Sequence, residues 1–270
     1  MDAIGNCNQW RHLAMTNVQK RSMKTGYAGL PFGELSQCEA GCVGVLGVPS
    51  EVEHGSRTGT ALAPDALRKM SQNVDSDLPV RGFDLGNLNP TGDWSHTLGQ
   101  LVTQMLDRNI VPLVLGGASE VALTVLGALP DMPVVAAMPI VRQDVAVRST
   151  NTVWLGLNNV QPAEVWDQIC QRKMIWRSAR QLDEGRGDCF EMCNAAILWV
   201  DISVLDLGHA AGADGLNPGG MEPETLVSVI GAMAYRWQAI VITGLAPCRD
   251  TRGMSELTAI ETLNAALGNA

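Results

Sequence analysis

Several kinds of chemistry are scarce or missing in this chain. It holds four histidines, two tyrosines and three phenylalanines in 270 residues. No apolar run reaches the about 18 residues of a membrane-crossing helix, so no membrane span is expected. Met1 to Gly41 opens on Asp2 and contains no apolar stretch like that of a secretory signal. Lys20, Arg21 and Lys24 give only a weak presequence pattern, and a cytoplasmic location is the expectation. Lys and Arg number 19 against 28 Asp and Glu, and the net charge of −9 argues against generic binding to nucleic acid or anionic membrane. The glycine pairs Gly116-Gly117 and Gly219-Gly220 lack the spacing of a phosphate loop. Seven cysteines in a chain of this length do not suggest a disulfide framework.

What is present is a core. Hydrophobic residues make up 46% of the chain, enough for one large domain. Short apolar runs alternate with helical patterns, as in a mostly parallel sheet covered on both faces. The runs predict strands over Cys42–Val48, Val80–Leu85, Val111–Leu115, Pro133–Met138, Val153–Leu157, Ala195–Asp201 and Ile240–Gly244. Being rich in Val, Ile, Leu and Ala throughout, they suit burial on both faces. Helices are predicted over Pro64–Asn73, Ser95–Asp107, Glu120–Leu129, Pro162–Arg172, Glu222–Trp237 and Ser255–Leu267. Pro64 and Pro162 fit first turns and Ser95 and Ser255 fit N-caps. Residues 1–41 read as an N-terminal extension, partly disordered, ahead of one domain over 42–270. Functional loops in such sheets follow the carboxyl ends of the strands.

Those loops carry a pattern. Val114-Leu115-Gly116-Gly117-Ala118-Ser119-Glu120 resembles the strand-to-loop turn of the ureohydrolases (arginase, agmatinase, formimidoylglutamase), which reads Gly-Gly-Asp-His-Ser in that family. Gly47-Val48-Pro49, the stretch from Arg57 through Thr58-Gly59-Thr60 to Pro64 and Arg68, and Phe83-Asp84-Leu85-Gly86 resemble the family's earlier segments in order. Asp201 to Asp206, followed by Asn217-Pro218-Gly219-Gly220-Met221, resembles Asp-x-Asp-x-x-Asp-Pro and Pro-Gly-Gly-Leu. Val241 to Pro247 stands where the family's last strand has Glu-Val-Asn-Pro. The likeness runs from Cys42 to Leu267 and implies a three-layer αβα sandwich around an eight-stranded, mostly parallel sheet.

The resemblance also implies two Mn²⁺ ions sharing a hydroxide that attacks a guanidinium group, with ligands from Gly-Gly-Asp-His, Asp-Ala-His-x-Asp and Asp-x-Asp. Ser119 stands at the first ligand position, Ala136, Met138 and Ile140 at the next three, and Asp201 and Ser203 at the last two. Only Asp201 keeps its ligand, and one carboxylate with two hydroxyls carries too little charge for two dications. Clustered carboxylates without cations would repel, so their replacement by neutral side chains relieves the cleft. Gly244 replaces the guanidinium-binding Glu, Val141 to Thr152 contains no histidine for a proton shuttle, and Gly156 to Gln161 lacks the family's charged contacts.

Other chemistry is weighed the same way. His54 and His209 follow strands and, with Asp201, Asp206 and Asp214, offer a single-metal or acid–base site. No fixed ligand spacing supports that set, and loop histidines bonded to backbone or water are the simpler expectation. Asp84, Asp201 and Asp206 read as strand-end carboxylates that accept backbone N–H bonds, and Arg57 and Arg68 as anchors. Cys38/Cys42 and Cys189/Cys193 have i,i+4 spacing but read as ordinary buried thiols. Cys248 lacks a visible histidine partner. Trp166 and Trp237 fall in predicted helices and read as packing residues, while Trp10 and Trp94 are candidates for a subunit contact.

The expectation is thus a ureohydrolase-like fold without its binuclear manganese site, a non-catalytic assembly or regulatory subunit or a small-molecule binder, with no cofactor. Its remnant cleft positions are Asp201, Ser203, Ser119, Met138 and Asp206, lined by His54, His209 and Gly244. The resemblance implies a homo-oligomer (trimer or hexamer) or a hetero-oligomer with an active paralogue. The alternative is an atypical, urea-releasing amidinohydrolase with a remodelled manganese site.

Overall fold

The computed structural model describes residues 25–51, 58–74, 81–89, 93–142, 152–158, 161–186, 195–233, 236–250 and 252–268. Eight parallel strands form one sheet: β1 (Val43–Val48), β2 (Gly82–Asn87), β3 (Val111–Gly116), β4 (Val134–Ala137), β5 (Thr152–Leu157), β6 (Ile175–Ser178), β7 (Ala195–Asp201) and β8 (Arg236–Thr243). Their spatial order is β2-β1-β3-β8-β7-β4-β5-β6. The central strands β3, β8, β7 and β4 are almost wholly buried, as their continuous apolar runs require.

The helices divide between the two faces. α1 (Ala63–Ser71), α5 (Ala179–Asp183), α6 (Pro223–Ala232) and α7 (Met254–Leu267) bury Leu67, Leu182, Leu226 and Leu263 in one core layer with Val45, Leu113 and Ile240. α2 (Trp94–Asp107), α3 (Glu120–Ala128) and α4 (Ala163–Gln171) bury Val102, Val125 and Ile169 in the other, with Leu46, Val114 and Trp199. Alternate residues along each strand feed opposite layers. The three-layer αβα sandwich expected from the sequence is what forms.

Five local readings need correction. The helix predicted over Glu222–Trp237 stops at Ala232, and Trp237 lies on β8. The run Ala239–Thr243 nucleates that strand, and pairing with Ala195 and Ala196 carries it back through Arg236 and Trp237. The edge strand β6 is four residues long and half-exposed, so it leaves no apolar run to read. Asp93, not Ser95, caps α2 by accepting from His96 N at 3.1 Å. Asp250, not Ser255, receives the first N–H groups of α7, from Met254, Ser255 and Glu256, at 2.6–3.2 Å. Asp250 serves these N–H groups from three residues before the cap position, Gly253, whereas Asp93 is itself the cap of α2. Pro162 is likewise the N-cap of α4 rather than a first-turn residue.

Of the expected N-terminal extension, residues 25–41 pack onto the sheet. Tyr27 is buried, its N–H donates to Asp84 Oδ2 at 2.8 Å, and Phe32 bridges to Asp84. Residues 1–24 lie outside the described residues.

Candidate functional site

The strand order decides what meets what. β3, β8, β7 and β4 are consecutive in the sheet, so the loops bearing Ser119, Gly244, Ser203 and Met138 all open at its centre. The chain changes direction across the sheet there, where ligands of open α/β sheets bind.

Asp201 ends β7 almost buried, 8% exposed. Its Oδ1 accepts from Ser203 N at 3.0 Å and Ser203 Oγ at 2.5 Å, and its Oδ2 accepts from Thr243 Oγ1 at 3.3 Å. Thr243 Oγ1 in turn accepts from the buried Trp199 Nε1 at 2.8 Å. The carboxylate is held by its own loop and by β8. Gly244 follows Thr243 with φ +76°, and a Cβ there would overlap Asp201 Oδ1. A side chain at position 244 is therefore excluded twice, by conformation and by space.

The strand that would supply three ligands is closed by packing. Ala136 pairs with Trp154 of β5 on one side and Trp199 of β7 on the other. Both indoles are fully buried, so Ala136 lies between two large rings on one face of the sheet. Met138 is buried and Ile140 is 50% exposed.

Ser119 precedes α3 without capping it; its Oγ accepts instead from Arg142 Nη1 at 2.5 Å. Arg142 follows β4, so a guanidinium stands at the first expected ligand position. Nothing in the sequence pattern signals that contact. Ser50 Oγ accepts from Ala118 N at 3.0 Å and joins the loop after β1 to the loop after β3. Glu51 accepts from Gly59 N at 2.8 Å and Ala61 N at 3.3 Å, fixing the turn before α1.

A set of amides knits the other loops. Gln161 Nε2 donates to Pro139 O at 2.8 Å and Asn158 Oδ1 at 3.0 Å, while its Oε1 accepts from Val141 N at 3.1 Å. Asn158 N donates to Pro139 O at 2.9 Å, and its Nδ2 reaches Asn217 Oδ1 at 3.4 Å. Asn217 O accepts from Leu207 N at 3.2 Å.

The remaining candidates stand apart. Asp206 accepts from Gly208 N at 2.8 Å and Gly219 N at 2.7 Å. Those N–H groups, Gly208's foremost, hold its carboxyl below the ordinary range. His209 is 41% exposed and pairs with Glu222 at 2.9 Å. His54, Arg57, Cys189, Cys193 and Trp10 lie outside the described residues. Burial pushes the Cys38 thiol up, away from the thiolate. The exposed Cys248 Sγ contacts Thr58 O at 3.5 Å. Arg68 grips Asp84 through two bonds, at 2.7 and 2.9 Å, inside the core. Trp94 packs against the core layer beneath α2. Among the described residues, no three of His, Cys, Asp and Glu gather closely enough to hold a metal ion.

The fold is that of solved ureohydrolases. Proclavaminate amidino hydrolase from Streptomyces clavuligerus superposes with a TM-score of 0.78, at 18% identity, over 92% of this chain and 97% of that one. The chain has the ureohydrolase fold. Agmatine ureohydrolase of Thermoplasma volcanium matches it at TM-score 0.77 and 16% identity, over 94% and 97% of the two chains. Formimidoylglutamase from Bacillus subtilis matches at 0.76 and 18%, over 97% and 98%. In sequence, residues 42–138 match the arginase family model. Formimidoylglutamase of Nocardia farcinica is 37% identical over 70 residues, which is 24% of this chain and about a quarter (23%) of that protein. The resemblance read from the motifs is thus shown, and the described part of this ureohydrolase-fold chain contains no helix long and apolar enough to cross a membrane.

Proposed function

We propose that this chain is a non-catalytic ureohydrolase-fold protein that works by binding or assembly, without two-manganese hydrolysis. One observation carries the reading: Asp201, alone among the six ligand positions, is a carboxylate, and Ser203 and Thr243 already hold it. Two adjacent dications need several anionic oxygens together with imidazole nitrogens. Ser119, Ala136, Met138, Ile140 and Ser203 supply none of these. The donor set does not fit the metal pair.

The test is metal content. Protein loaded with Mn²⁺, Ni²⁺ or Zn²⁺, dialysed and assayed for urea release from arginine, agmatine and guanidinobutyrate should hold far less than one metal per chain and release none. Two metals per chain, lost in Asp201→Ala together with urea release, would establish the amidinohydrolase reading instead. The assembly reading inherits trimers or hexamers from the ureohydrolase resemblance. Sedimentation that returns a monomer binding no paralogue would remove that reading.

A further inference from the structure

Cys38 and Cys42, whose i,i+4 spacing reads as two ordinary thiols, are brought to one place by the fold. Glu39 O accepts from Cys42 N at 3.2 Å, and Gly41 has φ +82°, so residues 39–42 form a tight turn between Cys38 and β1. One short stretch holds both sides of that turn. Arg108 Nη2 donates to Cys38 O at 2.9 Å, Asn109 O accepts from Gly41 N at 2.7 Å, and Val111 N donates to Cys42 O at 2.9 Å. The side chains share a face as well. The Val111–Cys42 bond extends the β1–β3 ladder by one residue, which puts Cys42 on the same face of the strand as Gly44. A Cβ at Gly44 would lie 3.2 Å from Met105 Sδ and 3.4 Å from Ile110 Cγ2. Cys38 packs in a small cluster with those same two residues. Both thiols therefore lie on the α2 side of β1, over one apolar floor. Burial first, and then the neighbouring Cys42, push the Cys38 thiol up, against a pull down from Arg108. Cys38 is buried and Cys42 half-buried.

We infer that Cys38 and Cys42 form a reversible dithiol–disulfide site, oxidised by a small-molecule disulfide of the glutathione class. The half-buried Cys42 thiolate attacks one sulfur of the oxidant, expels a thiolate and forms a mixed disulfide. Cys38 then attacks Cys42 Sγ, expels the second thiolate and closes the intramolecular bond. Two thiol hydrogens leave as protons, the two cysteine sulfurs give up two electrons, and the oxidant is reduced to two thiols. Burial shields Cys38 from an oxidant in solution, so its role is the second attack, on the sulfur that the turn brings beside it. The pair lies at the amino end of β1, whereas the loops bearing Ser119, Met138, Ser203 and Gly244 follow the carboxyl ends of the strands. The inference therefore stands whether or not that cleft holds manganese.

Peptide mass mapping tests it. Trypsin cleavage after Lys24 and Arg57 releases residues 25–57, whose only cysteines are these two. The reduced full chain is equilibrated with glutathione buffers of rising oxidised fraction, then acid-quenched, alkylated and digested. The peptide should appear two hydrogens lighter and unalkylated. The folded chain should close the bond at a glutathione ratio at least about tenfold less oxidising than the chain in concentrated urea needs, because the fold positions the two sulfurs in advance. Cys38→Ala should leave Cys42 carrying glutathione, and Cys42→Ala should leave Cys38 a free thiol. Two alkylated thiols in the folded chain at ratios that oxidise the unfolded one would overturn the proposal. So would glutathione retained on Cys42 of the unsubstituted chain, or pairing of either cysteine with Cys170 or Cys248. The titration of the unsubstituted chain decides the matter even where a variant fails to fold.

Discussion

At the scale of single residues, Glu256 shows how burial sets a proton's affinity. Burial, then the neighbouring Asp250, pushes its carboxyl up to about 7, against a smaller opposing pull from Lys69. The folded chain therefore holds a proton that the unfolded chain releases at an ordinary carboxylate pH. Between about 4.5 and about 7 the native state binds more protons, so stability falls as pH rises through that window. Below it the contribution is complete, and above it the contribution is gone. Glu256→Gln should erase this slope and raise stability at pH 8, by about 1 kcal/mol or less after solvent screening. Urea melts at pH 5, 7 and 8 measure it. Arg68 makes the opposite case, a buried charge held by geometry. Its bidentate contact with Asp84 joins α1 to β2, and Asn87 and Tyr27 N fill the remaining positions. Arg68→Met leaves Asp84 buried and unpaired, and should cost about 3–5 kcal/mol in chemical denaturation. Arg68→Lys should recover little, because an ammonium cannot form the fork.

Among elements, β4 shows how tightly packing closes one of the expected ligand positions. Ala136 sits in register between Trp154 and Trp199, both fully buried. Ala136→Asp should place a carboxylate against two indoles, destabilise the fold by about 2–5 kcal/mol and bring no manganese. Calorimetric melting with metal analysis checks both parts. Equally, Gln161→Ala should remove the Oε1 acceptor of the Val141 amide and cost about 1–3 kcal/mol. Hydrogen exchange at Val141 should rise more than at the β4 amides. The buried strands were legible because burial on both faces writes a continuous apolar run. β6 was not, since an edge strand half open to water carries no such run. Trp237 read as helical because periodicity near Glu222 runs on past Ala232, whereas pairing with Ala196 makes it strand. The same limit applies to the site. The motif positions Ser119, Met138, Asp201, Ser203 and Gly244 could be placed from sequence, because their loops follow recognisable strands. The Arg142–Ser119 contact, the Trp199–Thr243–Asp201 chain and the Gln161 cluster depend on side chains meeting across strands that are distant in sequence. No local pattern encodes them.

For the whole molecule, the fold and the chemistry separate. Eight parallel strands in a ureohydrolase fold bring the loops after β3, β8, β7 and β4 to one place, and the side chains on those loops are hydroxyls, apolar groups, an arginine and the Asp201 carboxylate. A fold fixes where a site lies, and the residues in it decide what the site does. The measurement that tests this most directly is manganese content per chain in protein purified without chelator and then loaded with Mn²⁺. The account predicts well under one ion per chain, unchanged in Asp201→Ala. Two ions per chain, removed by that substitution, would contradict it.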